Sequence, residues 1–440
     1  MKALLISIFL LTFVNSQQLS LEDCIQIGLN NKSTLRSASS GKSAAEQSVK
    51  TSLSNLLPSI GFSGSLNRTY FPEREIVSMN MENFQMDTSS LNRSQNLSAG
   101  VSVTQKVFDG GQTINRVKQA KSLFQSANFN YQSSRLKVIR DIVHGYFNFL
   151  KAKELKDVAG QNLSLSEKQL ELVKTKFDLG AVKKTDLLKG EVNKGQAQSE
   201  FLRSDQALRN ARRNFYFAMG VSDAGEQFLD YKKNIQSYKF PNKENLITIM
   251  EENNPRLLRQ QSQIQSAKLN YMITRGMKLP SVDAGLNYSV MGENSQEWMG
   301  NLKEDWNLGV NFSVSIPIYT GNGLSSQIEQ RRIEWNQSAE DYTTIKQNLH
   351  VQALDHFELL IQYKDILPIQ SQVVESAQED LTLVRERYAL GAATILEVLD
   401  AQVSLNLAKT TWVNMKYDFW ISAASLKELT GELNPNFGKE

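Results

Sequence analysis

The chain has 440 residues, of which only 22% are charged, and its 49 basic and 46 acidic residues nearly cancel to a net charge of +3. This balance gives no reason to expect nucleic acid or another strongly charged partner. Cys24 is the only cysteine, so an intrachain disulfide is excluded.

The first 16 residues resemble a signal peptide. A basic residue, Lys2, precedes an apolar run from Ala3 to Val14, and Ser16 stands just before a cleavage point at Gln17. The mature protein is therefore predicted to leave the cytoplasm. Beyond this segment no apolar run is long enough to predict a transmembrane helix.

Four segments alternate between apolar and polar residues, which predicts two β-hairpins, at about 58–107 and 280–318. Each segment is about ten residues long, the length that a tilted strand needs to cross a bilayer. Four strands cannot close a barrel, so membrane-spanning strands would require several chains. Two soluble hairpins packed on a core are the alternative. The apolar positions are Ile60, Phe62, Gly64 and Leu66; Leu97, Ala99, Val101 and Val103; Val282, Ala284, Leu286 and Tyr288; and Leu308, Val310, Phe312, Val314 and Ile316.

Two long helical runs extend from Gly111 to a break at Gly180 and from Gly323 to a break at Gly391. Apolar residues recur at alternating spacings of three and four in the first of these runs and again from Val398 to Phe419, as in a coiled-coil seam. At about 1.5 Å per residue each run is roughly 100 Å long, more than a compact domain needs. Shorter helical runs are predicted at 184–220 and 395–431, and at 20–53 and 245–277.

The chain also contains an internal repeat. Gly180 and Gly391 lie 211 residues apart, as do Asn96 and Asn307. At Pro58 and upstream of it, matching residues of the two copies are instead 222 positions apart. The difference predicts a longer loop in the first copy. The predicted domains are a signal peptide at 1–16, a first repeat at 17–220, a linker at 221–244, a second repeat at 245–431 and a tail at 432–440.

The second helical break, within Tyr388–Gln402, is followed by two acids. Glu397 and Asp400 are three residues apart, so they share one face of a helix. Their spacing alone is equally consistent with two solvated surface acids. A weaker copy of the stretch surrounds Gly180, with Asp186 in the place of Glu397.

Taken together, these features resemble the TolC-like family of outer-membrane efflux and secretion ducts in Gram-negative bacteria. The resemblance covers essentially the whole mature chain. It rests on the two tips and on motifs whose order is duplicated at fixed offsets. The motifs are Asn254, Pro255 and Leu257; Leu279 and Pro280; and the strand-to-helix turns Phe108–Gly111 and Tyr319–Gly321.

The resemblance implies a mainly α-helical fold with membrane β-structure. Each chain of a homotrimer would give four strands to one twelve-stranded β-barrel in outer-membrane lipid, continued into the periplasm by a coiled-coil α-helical barrel. The tips would face a periplasmic adaptor protein and an inner-membrane pump of the RND, ABC or MFS type. Loops at Phe71–Gln95 and Met291–Asp305 would be extracellular, and residues 221–244 would form a belt. The implied function is that of an exit duct in tripartite efflux or type I secretion.

The resemblance also assigns roles to the acids of the second tip. Glu397 and Asp400 match paired acids at a periplasmic pore entrance, where three chains would place six carboxylates around a narrow opening. Such a ring concentrates cations and repels anions. We therefore expect cation selectivity at this entrance.

A second set of matched residues concerns closure of the entrance. Tyr388 and Asp186 match a hydrogen bond between a phenol and a carboxylate, and Thr185 matches half of another contact between the tips, which turn at Gly180 and Gly391. The basic partner expected at position 393 is missing, because Ala393 stands there. The lysines at 183 and 184 are candidates to replace it.

No constellation of side chains points to an enzyme, a cofactor or a metal site. The three histidines, His144, His350 and His356, form no HExxH pair. The turn at Phe108–Gly111 lacks the Gly-Lys-Ser/Thr of a phosphate-binding loop, and a strand-to-helix turn explains its glycines.

A structural coiled-coil protein of the periplasm, without a transmembrane barrel, is the competing interpretation. Its hairpins would pack against each other instead of entering a membrane. The strand segments Leu97–Val103 and Leu308–Ile316 carry no charge, which favours the membrane.

Overall fold

A computed structural model describes residues 19–79, 86–222 and 238–437. The predicted signal peptide at 1–16 and most of the predicted belt at 221–244 lie outside these residues. The chain divides into two compact units. The first comprises Met1–Lys42, Ala127–Gln260 and Asp341–Glu440, and the second comprises Ser43–Ser126 and Gln261–Glu340.

Helices form most of the described chain. In chain order they are α1 (Leu21–Asn31), α2 (Ser33–Ser54), α3 (Gln112–Asp178), α4 (Lys184–Met219), α5 (Lys243–Asn253), α6 (Pro255–Gly276), α7 (Ser295–Glu304), α8 (Gly323–Ala389) and α9 (Ile395–Leu429). Helices α3 and α8 contain 67 residues each, and the helices that follow them, α4 and α9, contain 36 and 35. The two long helices and their shorter returns are therefore confirmed.

Each of the two runs predicted at 20–53 and 245–277 is broken once. Asn254 precedes Pro255, whose ring disfavours helical backbone in the residue before it, and Asn254 adopts φ −70° and ψ 116°. Lys32, which is 222 residues earlier, adopts φ −67° and ψ 117° without a following proline. The prediction of single helices was wrong, because one extended residue divides each run.

The strands form one antiparallel sheet in the order β1-β2-β3-β4. They are β1 (Ser59–Met79), β2 (Met86–Asp109), β3 (Ser281–Gly292) and β4 (Trp306–Ser315). β1 and β2 contain 21 and 24 residues, about twice the expected length, because their pairing continues beyond Tyr70 into the predicted loop. The other predicted loop, Met291–Asp305, contains helix α7.

The sheet has one apolar face, which we call the apolar sheet face. Directly paired residues share a face, and the pairs Phe62–Val101, Val101–Tyr288 and Tyr288–Leu308 run across all four strands. Phe62 is 77% exposed in the chain, and Phe312 on the same face is 74% exposed. Contiguous apolar surface of this kind marks a contact with membrane or with protein.

Aromatic side chains form part of the core of the first compact unit, which we call the helical unit. Phe147 of α3 is 0% exposed, and its ring stacks on Trp420 of α9 with centroids 6.1 Å apart. Tyr146, also on α3, meets Phe215 of α4 edge-on at 5.8 Å. These contacts join α3 to α4 and α9.

Phe147→Ala should lower the free energy of unfolding of the helical unit by about 3–5 kcal/mol, because a fully buried ring leaves a cavity. Phe217→Ala is the matched control, since Phe217 is 77% exposed and contacts Lys32 through its ring. Its loss should be at most about 1 kcal/mol. Denaturant unfolding of the detergent-solubilised protein measures both, and equal losses would contradict the assignment of the core.

Candidate functional site

The two helical breaks close with the same backbone turn. Gly180 and Gly391 have φ angles of 71° and 79°, in the left-handed region that glycine adopts without strain. In each turn the N–H of the following alanine donates to the carbonyl five residues earlier, at 2.8 Å in both. The repeat seen in the sequence therefore appears in the backbone of both tips.

The helices that leave the turns begin differently. Thr394 caps α9: its hydroxyl accepts from the Glu397 N–H, while the Glu397 carboxylate accepts from the Thr394 N–H at 3.0 Å and from its hydroxyl at 2.9 Å. Lys183, at the start of α4, makes no side-chain capping bond. Only the second tip therefore has a reciprocal capping box.

The capping bonds also keep Glu397 ionised. The Thr394 backbone N–H, and after it the hydroxyl, hold the pKa of the Glu397 carboxyl below its ordinary value. Arg387 lies nearby, with Nη2 3.7 Å from Glu397 Oε2 and 3.1 Å from the Ala392 carbonyl. Because both charged side chains are about half exposed, this pair stabilises little. It does offset part of the negative charge of Glu397.

Asp400 differs from Glu397 in this respect. It lies three residues further along α9, is exposed, and forms no ion pair within the part of the chain that the structure describes. The two acids are thus inequivalent, which their spacing in the sequence did not reveal.

Tyr388 is buried inside the second tip, at 4% exposure, in a cluster that includes Val173, Ile395 and Val398. Its hydroxyl has no hydrogen-bond partner in residues 19–79, 86–222 and 238–437, so the predicted bond to Asp186 is not formed within the chain. Burial, and after it the charge of Asp186, raises the pKa of the Tyr388 hydroxyl. Asp186 therefore acts on the phenol through its charge and is not placed to accept its proton.

Lys176, near the end of α3, joins the two tips. Its Nζ donates to the carbonyls of Tyr388 at 2.6 Å and Ala389 at 3.2 Å, at the C-terminal end of α8. It also lies 4.5 Å from the centroid of the Tyr388 ring. A cation is favoured there by the carbonyls at the end of the helix, by the helix dipole and by the aromatic face.

Sequence reasoning missed Lys176 and Arg387, although the repeat contains a signal for both. They lie 211 residues apart, each four residues before its tip glycine. Thr185, Lys183 and Lys184 are all exposed. Neither of these two lysines forms an ion pair among the described residues.

A buried amide network connects three helices near the tips. Gln402 of α9 is 5% exposed, and its Nε2 donates to Ser166 Oγ at 2.7 Å and to Asn162 Oδ1 at 2.8 Å. Asn193 of α4 donates to the same hydroxyl at 3.1 Å. Since an unpaired buried polar group is costly, the network favours one register of α3, α4 and α9.

Comparison with known sequences decides the family. Residues 24–221 and 246–432 match the family described as outer membrane efflux protein. The chain belongs to the outer membrane efflux protein family. Its predicted location, the outer membrane, is confirmed by this membership.

Members of this family resemble the chain over most of its length. TolC of Vibrio cholerae is 25% identical over 414 residues, which cover 92% of this chain and 89% of the relative. TolC of Escherichia coli is 24% identical over 411 residues, covering 91% and 80%. The proteases secretion protein PrtF of Dickeya chrysanthemi is 21% identical over 442 residues, covering 98% and 93%.

Solved structures show the same fold. CusC superposes with a TM-score of 0.81 at 18% identity, covering 97% of this chain and 95% of that one. The CmeC outer membrane channel of Campylobacter jejuni superposes with a TM-score of 0.81 at 17% identity, covering 94% and 85%. The predicted fold, long helices with four strands per chain, is therefore confirmed.

Two further features of the described residues bear on the kind of site. None of their helices combines the length and apolar character needed to cross a membrane. They also contain no group of three or more His, Cys, Asp or Glu side chains arranged to bind a metal ion.

Thr394→Ala should destabilise the start of α9 by about 1 kcal/mol, because it removes the N-cap, whereas Lys183→Ala should have little effect on α4. The loss corresponds to a roughly fivefold faster hydrogen exchange of the amides just after the cap. Exchange followed by mass spectrometry measures both variants. A similar acceleration in both would contradict the difference between the tips.

The contribution of Glu397 to this cap should depend on pH. Because its folded pKa is lowered, the contribution is complete above the unfolded pKa of about 4.3 and is lost as the pH falls through the folded pKa. The difference in amide exchange between the wild-type protein and Thr394→Ala should therefore narrow on acidification. A constant difference would contradict the role of the ionised carboxylate.

Lys176→Met should speed amide exchange at the end of α8, because two carbonyl bonds and a ring contact are lost. Tyr388→Phe should leave that exchange unchanged or slow it, because a buried hydroxyl without a partner costs about 1–3 kcal/mol. The same mass-spectrometric measurement compares the two variants. Faster exchange in Tyr388→Phe would show that the hydroxyl has a partner in the assembled protein.

Proposed function

We propose that this protein is a passive, gated exit duct that passes substrates from an inner-membrane pump to the outside of the cell. The observation that carries the proposal is the exposed apolar sheet face, found in a chain of the outer membrane efflux protein family. The pump supplies the energy, and the duct supplies a polar path. The proposal therefore assigns no catalytic residue and no cofactor.

Closure of the sheet requires several copies of the chain. The strand order leaves one edge at β1 and another at β4, and a closed barrel needs about eight strands or more. In a homotrimer, β1 of one copy pairs with β4 of the next, and twelve strands close. The apolar sheet face then meets lipid and the polar face lines the pore. Long helices from the three copies form the helical barrel.

The tips are proposed to face a periplasmic adaptor protein and a pump of the RND, ABC or MFS type. The names of two relatives support a role in such systems: PrtF is a proteases secretion protein, and CusC, 24% identical over 177 residues, is a cation efflux system protein. These names cover both secretion and efflux, so the proposed role is a general exit for cargo that the pump selects.

The acids of the second tip are proposed to select cations at the entrance. Three copies would bring together six carboxylates, whose field concentrates cations in a narrow opening. Because Arg387 lies 3.7 Å from Glu397, it offsets part of that field. Asp400 lacks such a neighbour among the described residues, so we assign it the larger share of the selectivity.

The closed entrance is proposed to depend on the contact between the tips of one chain. Lys176 holds the end of α8 through two carbonyls, and Asp186 adds its charge beside Tyr388. Lys176 thereby takes the part that the resemblance gave to a base at position 393. Thr185 is exposed, so its side chain is available to a neighbouring copy of the chain.

The alternative, a periplasmic coiled-coil protein without a membrane barrel, fits the sheet poorly. Val310 and Val314 are each 64% exposed on the apolar sheet face. The two hairpins lie side by side in one sheet and do not cover this face. A periplasmic chain would therefore leave it in water, whereas a membrane protein buries it in lipid at about 25 cal/mol per Å².

Asp400→Asn should reduce cation selectivity more than Glu397→Gln does, because Arg387 already offsets part of the Glu397 charge. Both substitutions keep the shape of the side chain, and glutamine retains the capping bond of glutamate. Arg387→Gln should raise the selectivity. Reversal potentials across planar bilayers under a salt gradient measure all three variants.

Glu252→Gln, in an exposed acid of α5, is the control for a general loss of charge and should leave the reversal potential unchanged. If the double variant of Glu397 and Asp400 keeps the wild-type reversal potential, the two acids lie outside the pore. If Glu397→Gln has the larger effect, the assignment of the dominant charge to Asp400 is wrong.

A further inference from the structure

Helix α7, inside the loop between β3 and β4, is amphipathic. It begins at a capped end, where the Asn294 side chain accepts from the N–H groups of Gln296 and Glu297 at 3.1 and 2.9 Å. Trp298, Met299 and Leu302 fall within one arc of about 100° at helical spacing. Apart from Gly300, the rest of the helix is polar and includes Lys303.

One part of this apolar arc is seated on the apolar sheet face. Gly292 pairs with Leu97, which places it on that face. A Cβ on Gly292 would meet the Trp298 backbone nitrogen at 2.6 Å, so only a glycine allows this close approach. Trp298 also lines a cavity floored by Gly64, Leu66, Leu97 and Ala99, and Val290 beside it is 2% exposed. The helix thus lies against the outside of the sheet, on the face proposed to meet lipid.

The other part of the arc is left uncovered. Met299 is 64% exposed and Leu302 is 42% exposed. Both belong to the same helical arc as Trp298, which rests on the apolar sheet face. At the same end of the strands the rings of Tyr288 and Trp306 stack with centroids 5.9 Å apart, and aromatic girdles of this kind mark the boundary between lipid tails and headgroups.

We infer that α7 is an interfacial helix that binds the outer surface of the lipid bilayer. Trp298 fixes it to the sheet, Met299 and Leu302 enter the boundary between headgroups and acyl chains, and Lys303 and the acids of the helix remain in water. An amphipathic helix binds a membrane in this way through its buried apolar arc. The inference rests on the proposed function, because it requires the apolar sheet face to lie in lipid.

Lipid is the occupant that the surface favours over a protein partner. The exposed part of the arc lies on a helix that rests on the apolar sheet face, so a bilayer that covers this face also reaches the helix. A helix held to the sheet by a backbone contact cannot turn its arc inward without losing the Gly292–Trp298 approach. The helix should therefore fix the depth at which the sheet lies in the bilayer.

Spin labels at single cysteines test the position of α7 in the assembled protein. In a Cys24→Ala background, the label is placed by Met299→Cys, Leu302→Cys, Lys303→Cys or Phe312→Cys. The protein is reconstituted into vesicles of phosphatidylethanolamine and phosphatidylglycerol. Collision of the label with oxygen, which partitions into lipid, is compared with collision with a water-soluble nickel chelate. We expect the oxygen-to-nickel ratio at 299 and 302 to be several-fold higher than at 303 and to approach the ratio at 312.

The four positions separate the possible failures. If 299 and 302 match 303 while 312 keeps a high ratio, the sheet lies in lipid and the inference about α7 is wrong. If 299 and 302 are inaccessible to both reagents, a protein surface covers them, which also overturns it. If 312 itself has a low ratio, the apolar sheet face is not in lipid, and the proposed function fails together with the inference.

Discussion

The exposed apolar sheet face is the constraint on which the rest of the structure depends. Four strands with an edge at β1 and another at β4 can neither close on themselves nor hide Phe62 and Phe312 from water. The two edges need further strands and the apolar face needs a membrane or a protein to cover it. Membership in the outer membrane efflux protein family agrees with both requirements. Helix α7 lies against the same face, where Trp298 approaches Gly292.

At the tips, duplication has produced two turns of equal geometry and unequal chemistry. Both turn on a glycine with positive φ, yet only the second has a capping box, at Thr394 and Glu397. Bases stand at equivalent positions but act differently: Lys176 reaches across to α8, whereas Arg387 stays with its own tip and offsets Glu397. The result is a contact that joins the tips and two acids of which only Glu397 has a basic neighbour among the described residues.

Much of the fold follows from periodicity. The alternation of apolar and polar residues in strands, and the spacing of apolar residues by three and four in helices, depend on neighbours in the sequence. These patterns therefore predicted helix α3 and the apolar sheet face correctly. The breaks at Lys32 and Asn254, the length of β1 and the helix α7 were missed. The break at Asn254 has a local cause in Pro255, whereas the length of β1 depends on its pairing with β2 and the position of α7 on its close approach to Gly292. In the candidate site, the repeat identified the acids and the glycines of the tips, but it did not identify the residues that contact them.

By itself the sequence determined that the protein repeats a unit of strands and long helices, that one sheet face is apolar and that two acids follow the second tip. These properties are local, because they depend on residue spacing along one element. Only the tertiary structure decided that Lys176 binds α8, that Tyr388 leaves its hydroxyl without a partner in the described chain, and that Trp298 rests on Gly292. Such contacts join residues far apart in the chain, and a spacing pattern carries no information about the distance between their atoms.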